Sequence, residues 1–418
     1  MTALPDSPGA PRLVVRGPDC LPVVVPHLLG FRPASSVVVV GLDAASHTVR
    51  VTLRVDVPPP GDDGSGWTAL APALARAGAG HALLVVYPSA DDDPWARSEP
   101  RPLPRRDVVD AARLALAEVD VRVLDALCVV GDRMASYDCS DPVCCPPEGR
   151  VVPAEDLLRV EAEMVGTGSA PLPSREALES VLDPRPYADP LVVAVHEELD
   201  ALWADVPEYG PADVDSFLVG LAVHASRPQE PHLLPALVAL AIAMCSWVRP
   251  RDLLMRALSV DADRDLVRTA RGVLVEAVRC APERDVAGVA SMLAVCAWLT
   301  GDGAAARVAL DRAESADPDY SLAVLLTEAL DRGVPPWSWA QMMADLSIER
   351  ILATGDGPPR RRSRDEVIDG LYALADDLDD AYDDDLDDGI YDGLDIDEYV
   401  CPDPGCAACR CAAGTEGL

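Results

Sequence analysis

The chain has 418 residues, of which 49% are hydrophobic, so it is long enough for two or three domains with apolar cores. Its formal net charge of −35 repels phosphate groups, which argues against nucleic acid or an anionic membrane as a partner. All 35 basic residues are arginine, and the lack of lysine excludes a Walker A phosphate loop and pyridoxal-phosphate catalysis.

Residues 12–173 predict an α/β domain with a mixed sheet. Residues 37–42 form a continuous apolar run typical of a buried strand, and residues 47–57 alternate as an antiparallel partner does. The order continues with a helix at 67–79, a strand at 82–87, a helix at 107–119 and a strand at 121–130. Because the last strands are joined through a helix, we expect them to be parallel.

A loop rich in cysteine, residues 137–149, follows the last of these strands and reads Y-D-C-S-D-P-V-C-C-P-P-E-G. Its two consecutive prolines exclude a regular helix or a central strand. In open α/β sheets, ligands gather beyond the carboxyl ends of the strands, and we expect this cysteine loop at such an end. The candidate residues of the loop are Cys139, Cys144, Cys145 and Tyr137.

Three interpretations of the cysteine loop remain open. Its thiols can bind zinc, with His27, His47 or His81 as the fourth ligand. They can instead form a reversible disulfide, or pack as small apolar side chains in a rigid loop.

Residues 30–36 form a second candidate site, before the first buried strand. Its two hydroxyls, its arginine and its backbone amides can hold an anion, and the alternative is a turn that begins the strand. The candidate ligand or interface residues are Gly30, Phe31, Arg32, Ser35 and Ser36.

Residues 190–353 predict an all-helical domain. The predicted helices are 191–206, 212–225, 233–247, 264–280, 286–300, 303–316, 322–332 and 337–353. The small residues and the final proline at positions 293–318 have the spacing of one tetratricopeptide unit, although the expected repeat 34 residues further on is missing. An ordinary helical hairpin is the alternative.

Residues 355–418 comprise an arginine-rich linker, an acidic tail and a terminal cysteine cluster. The tail has Asp at twelve positions between 376 and 398, which predicts a disordered segment or one that becomes ordered on a protein partner. The terminal motif C-P-D-P-G-C echoes C-S-D-P-V-C in the cysteine loop. Its candidate metal ligands are Cys401, Cys406, Cys409 and Cys411.

Three motifs carry a resemblance to a known family: L-L-G-F-R-P-A-S-S-V-V-V-V at 28–40, S-Y-D-C-S-D-P-V-C-C-P-P-E-G at 136–149, and G-D-G-A-A-A-R-V-A-L-D-R-A-E-S-A-D-P-D-Y-S-L-A at 301–323. Over residues 13–336 the chain resembles the actinobacterial domain-of-unknown-function 4192 family. The resemblance implies a bacterial cytosolic protein and supplies no activity.

The sequence favours a binding or scaffolding protein over an enzyme, since no complete catalytic constellation occurs. A protein partner is expected at the helical domain or the acidic tail. The alternative is a metal-dependent hydrolase or a thiol-redox enzyme centred on residues 139–145. The first 17 residues lack a secretory signal and no run of about 20 apolar residues occurs, so we expect a cytoplasmic protein with zinc as its possible cofactor.

Overall fold

The computed structural model describes residues 13–14, 20–59, 64–96, 102–166, 170–204, 209–227, 230, 232–353 and 394–395. The chain divides into two compact units: Met1–Arg175 together with Tyr391–Leu418, and Glu176–Ile390. The predicted fold class, a mixed α/β region followed by a helical one, is confirmed. The acidic tail and its predicted disorder lie outside the described residues, apart from the pair 394–395.

The first unit is built on a six-stranded sheet and a separate strand pair. The strands are β1 (Leu13–Val14), β2 (Ser36–Leu42), β3 (Val49–Asp56), β4 (His81–Tyr87), β5 (Arg122–Val130), β6 (Arg133–Ser136), β7 (Arg150–Val151) and β8 (Leu394–Asp395). The order in the sheet is β3-β2-β4-β5-β6-β7. Strand β4 pairs in parallel with β5, as expected for strands joined through a helix, and the other pairs of the sheet are antiparallel. The separate pair joins β1 to β8 in parallel.

Helices cover both faces of this sheet. They are α1 (Leu21–Leu29), α2 (Ser65–Arg76), α3 (Arg106–Ala117) and α4 (Ala154–Gly166). Alternate residues of β2 point to opposite faces, so Val37 and Val39 join one core with α2 and α3. Val38 and Val40 are equally buried on the other face, where α1 packs against α4 and β3. Since every residue of β2 is buried, its apolar run needs no alternation.

The second unit is helical, and its core is continuous along the helices. The helices are α5 (Arg175–Glu179), α6 (Pro190–Ala204), α7 (Pro211–Ser226), α8 (Leu233–Cys245), α9 (Val248–Arg256), α10 (Arg264–Cys280), α11 (Glu283–Leu299), α12 (Gly303–Ala316), α13 (Ser321–Asp331), α14 (Pro336–Asp345) and α15 (Ile348–Ala353). Among the described helices, no single one is long and apolar enough to cross a membrane, and the one pair that qualifies jointly, α8 with the stretch Val248–Asp261, is bent by 114°.

Two of the helices that end earlier than predicted are followed by a break and a further helix. The helix predicted at 233–247 ends at Cys245, because Trp247 has an extended backbone and α9 begins in a new direction after it. The helix predicted at 337–353 is two helices, α14 and α15. Leu346 between them is extended, and its carbonyl accepts a hydrogen bond of 2.9 Å from Arg256 Nε on α9. In the second case local helix propensity yields to a tertiary contact.

The predicted hairpin is present as α11 and α12, which pack closely against each other. Ala306, Ala309 and Ala313 are completely buried in it, so small side chains let the helices approach. Gly288 on α11 lies so close to α8 that a Cβ atom there would stand 2.5 Å from the carbonyl oxygen of Cys245. The position therefore requires glycine for packing reasons.

Candidate metal centre

The cysteine loop, residues 137–149, does not begin at the carboxyl end of β5, so the predicted placement is wrong. The chain turns back at Gly131, whose φ of 62° is in the left-handed region, and β6 returns antiparallel along β5. Tyr137 then donates its backbone N–H to the carbonyl oxygen of Ala126, in the middle of β5. The loop therefore leaves the sheet from its middle and passes along the face that α3 covers.

Tyr137 anchors the first end of the loop. Its side chain is 4% exposed, and its hydroxyl donates a hydrogen bond of 2.6 Å to the carbonyl oxygen of Pro104. Burial raises the pKa of Tyr137, which keeps the hydroxyl protonated as a donor. Arg106 on α3 donates to the carbonyl oxygen of Tyr137 at 2.6 Å and lies 5.5 Å from the ring centroid. The sequence predicted a role for Tyr137 in ligand binding, whereas in the structure its hydrogen bonds hold the first end of the loop in place.

Two further contacts hold the residues on either side of Tyr137. Ser136 donates to the carboxylate of Asp125 at 2.7 Å and accepts from the backbone N–H of Asp138 at 3.1 Å. The Asp138 carboxylate forms an ion pair with Arg113 on α3. The loop therefore starts from a fixed geometry next to α3.

An aspartate turn shapes the tip of the loop. The Asp141 carboxylate accepts from the backbone N–H of Val143 at 2.8 Å, and its carbonyl oxygen accepts from that of Cys145, also at 2.8 Å. This turn brings the adjacent pair Cys144 and Cys145 back toward Cys139. Val143 is left outside, with 82% of its surface exposed.

The far end of the loop is closed by Gly149. It donates to the carbonyl oxygen of Pro146 at 2.9 Å, while Arg133 donates to that of Glu148 at 2.7 Å. Gly149 has a φ of 77°, and a Cβ atom would stand 2.6 Å from Cε2 of Trp95. Both the backbone conformation and the contact with the indole require glycine here.

The sulfur atoms of Cys139, Cys144 and Cys145 all lie within 4.8 Å of one another. A zinc ion with Zn–S bonds of about 2.3 Å in tetrahedral geometry separates its sulfurs by about 3.8 Å, so small side-chain rotations suffice for coordination. All three residues are partly exposed, which leaves them reachable for an ion. The predicted metal ligands of the loop are thus brought together.

Four buried cysteines among the described residues have thiols whose pKa values are raised. Burial raises the pKa of Cys128 on β5 to about 12 and that of Cys280 on α10 to about 11. Cys245 and Cys296 behave likewise, with pKa values raised to about 12 by burial. A thiol must lose its proton to bind a metal, so these positions serve as packing residues.

The three histidines expected as a fourth zinc ligand make contacts with residues outside the cysteine loop. Among the described residues, no His, Asp or Glu atom joins the three sulfurs within the 4.8 Å distance. His47 and His81 face each other, with ring centroids 5.4 Å apart, and Nε2 of His27 lies 3.4 Å from the carboxylate of Glu161 on α4. The four terminal cysteines of residues 401–411 lie outside the described residues.

The segment 30–36 is a connection between α1 and β2. Gly30 ends α1 in the left-handed conformation, Phe31 is buried, and Arg32 is mostly exposed with a loose ion pair to Glu161 at 3.8 Å. Ser35 is exposed with a positive φ of 47°, whereas Ser36 is completely buried as the first residue of β2. The two hydroxyls therefore lie in different environments and the structure does not bring them together.

Two features that shape the site have recognisable sequence signals. The dipeptide Gly131–Asp132 between two short runs is typical of a two-residue hairpin and would have placed β6. Asp141 before a proline is typical of an aspartate turn. Arg106, Arg113 and Trp95 carry no local signal, since their role depends on contacts distant in sequence.

The fold and the site define a two-unit protein whose α/β unit presents a braced three-cysteine cluster. The chain belongs to the family described as domain of unknown function (DUF4192), whose model matches residues 18–337. The match includes both the cysteine loop and the α11–α12 hairpin. No curated protein and no solved structure matches the chain.

Proposed function

We propose that this chain is a metal-binding protein, in which Cys139, Cys144 and Cys145 hold one thiophilic ion of the zinc class. The observation that carries the proposal is the convergence of three partly exposed sulfurs within 4.8 Å on one loop. Thiolates are preferred ligands of zinc and other soft ions. A fourth zinc ligand comes from water or from outside the described residues.

The bracing of the loop supports this proposal. Hydrogen bonds from Tyr137, Arg106 and Arg133 fix both ends of the loop, so little conformational entropy is lost when an ion binds. Binding should stabilise the first unit by about 2.7 kcal/mol when the free ion is at 100 times its Kd. Because the thiols release protons on binding, the affinity should fall as the pH falls.

We place this site in a binding or scaffolding protein rather than a hydrolase. Three thiolates around a divalent ion give the centre a net charge of −1. Such electron-rich donors leave a bound water less acidic than the neutral histidines of carbonic anhydrase do. In the second unit, the α11–α12 hairpin with its tetratricopeptide-like spacing supports a protein partner, which co-purification of the full-length chain tests.

Zinc titration of the reduced full-length protein, in competition with a chromophoric chelator, tests the metal site. We expect Cys144→Ser to weaken binding by about tenfold or more, since about 1.4 kcal/mol corresponds to tenfold. Cys280→Ala is the matched control, because that thiol is 3% exposed and lies in the other unit. Equal affinity of the wild type and Cys144→Ser would contradict the proposal.

A thiol-redox role is the second candidate. The adjacency of Cys144 and Cys145, with the sulfur of Cys139 within 4.8 Å, favours it. A disulfide needs the sulfurs to approach to about 2.05 Å, which the loop must allow by side-chain rotation. Thiol counting after equilibration with glutathione buffers tests this role: the loss of two thiols per chain at a defined potential supports it, and unchanged thiols refute it.

A further inference from the structure

The cysteine loop brings three sulfur atoms within 4.8 Å of one another, and that number bears on which element completes its coordination there. We propose that the loop is a site for a trivalent thiophilic metalloid of the arsenite class, bound through Cys139, Cys144 and Cys145. This inference rests on the thiol site of the proposed function and names a different ligand class for it.

The donor count is the first argument. Zinc in structural sites takes four protein ligands. Among the described residues, the cluster offers three sulfurs and no fourth His, Asp or Glu atom within the same distance. Trivalent arsenic or antimony forms three bonds to sulfur, and its lone pair fills the remaining position. Three thiols are therefore a complete set for a metalloid, whereas they leave zinc one ligand short.

Charge is the second argument. A trivalent metalloid bound by three thiolates is neutral, while a divalent ion with the same ligands carries −1. The loop contains three carboxylates, and three arginines contact it: Arg113 forms an ion pair with Asp138, and Arg106 and Arg133 donate to backbone carbonyl oxygens. These charges balance locally, so no excess positive charge is left to offset a charged complex. The whole chain has a formal charge of −35. An additional negative charge is unfavourable in such surroundings, so the neutral complex is favoured.

The reaction balances without an oxidant or a reductant. Arsenous acid has three hydroxyl groups on arsenic, and each is replaced by one cysteine sulfur. Three As–O bonds and three S–H bonds break, three As–S bonds form, and the three thiol protons leave with the hydroxyls as three water molecules. Arsenic stays trivalent throughout.

Geometry and access fit this exchange. The Asp141 turn holds Cys144 and Cys145 on the same side as Cys139, so the three bonds can form in one small, pyramidal arrangement. The three cysteines are partly exposed, whereas Cys20 and Cys128 in the same unit are buried. A small neutral molecule such as arsenous acid therefore reaches the loop and not the core.

The test uses the reduced full-length chain with Cys401, Cys406, Cys409 and Cys411 all changed to Ser, so that only the loop and core thiols remain. Sodium arsenite is titrated, and bound arsenic is counted by mass spectrometry and by the loss of titratable thiols. We expect one arsenic and three consumed thiols per chain. Each of Cys139→Ser, Cys144→Ser and Cys145→Ser, made separately in this background, should weaken binding by about tenfold or more.

Circular dichroism of each variant verifies that the fold survives, and Cys280→Ala in the same background controls for the loss of any thiol. Arsenite binding that is unchanged in the loop variants, or that consumes only two thiols, overturns the inference. If zinc binds to the loop and arsenite does not, the inference fails and the proposed function stands. If neither binds, the proposed function fails as well.

Discussion

The hydroxyl of Tyr137 is expected to stabilise the first unit, and the hydroxyl of Tyr87 is not. Both side chains are buried, at 4% and 8% exposure. Tyr137 donates a hydrogen bond of 2.6 Å to the carbonyl oxygen of Pro104. Tyr87, the last residue of β4, has no hydrogen-bond partner for its hydroxyl among the described residues. The same substitution, Tyr→Phe, therefore has different consequences at the two positions.

The magnitudes follow from the partners. Tyr137→Phe removes a buried hydrogen bond and leaves the Pro104 carbonyl without this donor, which costs about 1–2 kcal/mol. For a unit of this size, that lowers the midpoint temperature of unfolding by about 2–8 °C. Tyr87→Phe removes a buried hydroxyl without a partner, so the free energy of unfolding should stay constant or rise by about 1 kcal/mol.

Differential scanning calorimetry of the full-length wild type and both variants measures these changes in the transition of the first unit. Far-UV circular dichroism at about 25 °C is the control for an intact fold. Equal losses of stability in Tyr137→Phe and Tyr87→Phe would refute the reasoning. So would a Tyr137→Phe variant that unfolds at the temperature of the wild type.

Three other perturbations have defined outcomes. Gly288→Ala should lower the free energy of unfolding of the helical unit by about 1–3 kcal/mol in urea titrations, since its Cβ atom would stand 2.5 Å from the carbonyl oxygen of Cys245; an unchanged midpoint would contradict the close packing. Burial, followed by the nearby charge of His47, lowers the pKa of His81, so the unfolded chain binds the proton more readily and stability falls as the pH drops below about 6.5. His81→Gln should flatten that pH profile, and a profile as steep as the wild type would refute the assignment. Gly149→Ala should weaken zinc binding to the cysteine loop by about tenfold or more in chelator competition. Alanine is strained at the positive φ of this position, and its Cβ atom would clash with Trp95. Unaltered affinity would show that this end of the loop does not shape the site.

The fold was predictable where the pattern of apolar residues is strong. The apolar run at 37–42 became the buried strand β2, and the helices predicted at 264–280 and 303–316 have the bounds of α10 and α12. Helix α1 was not predicted. Its sequence, L-P-V-V-V-P-H-L-L, contains two prolines and three β-branched residues in a row, which local propensity assigns to a strand or a turn.

The candidate site was predictable in its residues and not in its position. The spacing of Cys139, Cys144 and Cys145 identified the thiol cluster, because three thiols within seven residues remain close in any compact loop. The place of that loop depends on the turn at Gly131, which reverses the chain before the cysteines. Its support by Arg106 and Arg113 depends on α3, about 30 residues earlier, and such contacts leave no local pattern.

The metal content of the loop tests the central claim most directly. Purified full-length protein with the four cysteines of residues 401–411 changed to Ser is loaded with zinc, desalted and analysed for metal. We predict about one zinc per chain, and its loss when Cys139, Cys144 and Cys145 are also changed to Ser. A zinc content that is near zero before the loop cysteines are changed, or that survives their removal, would contradict the account.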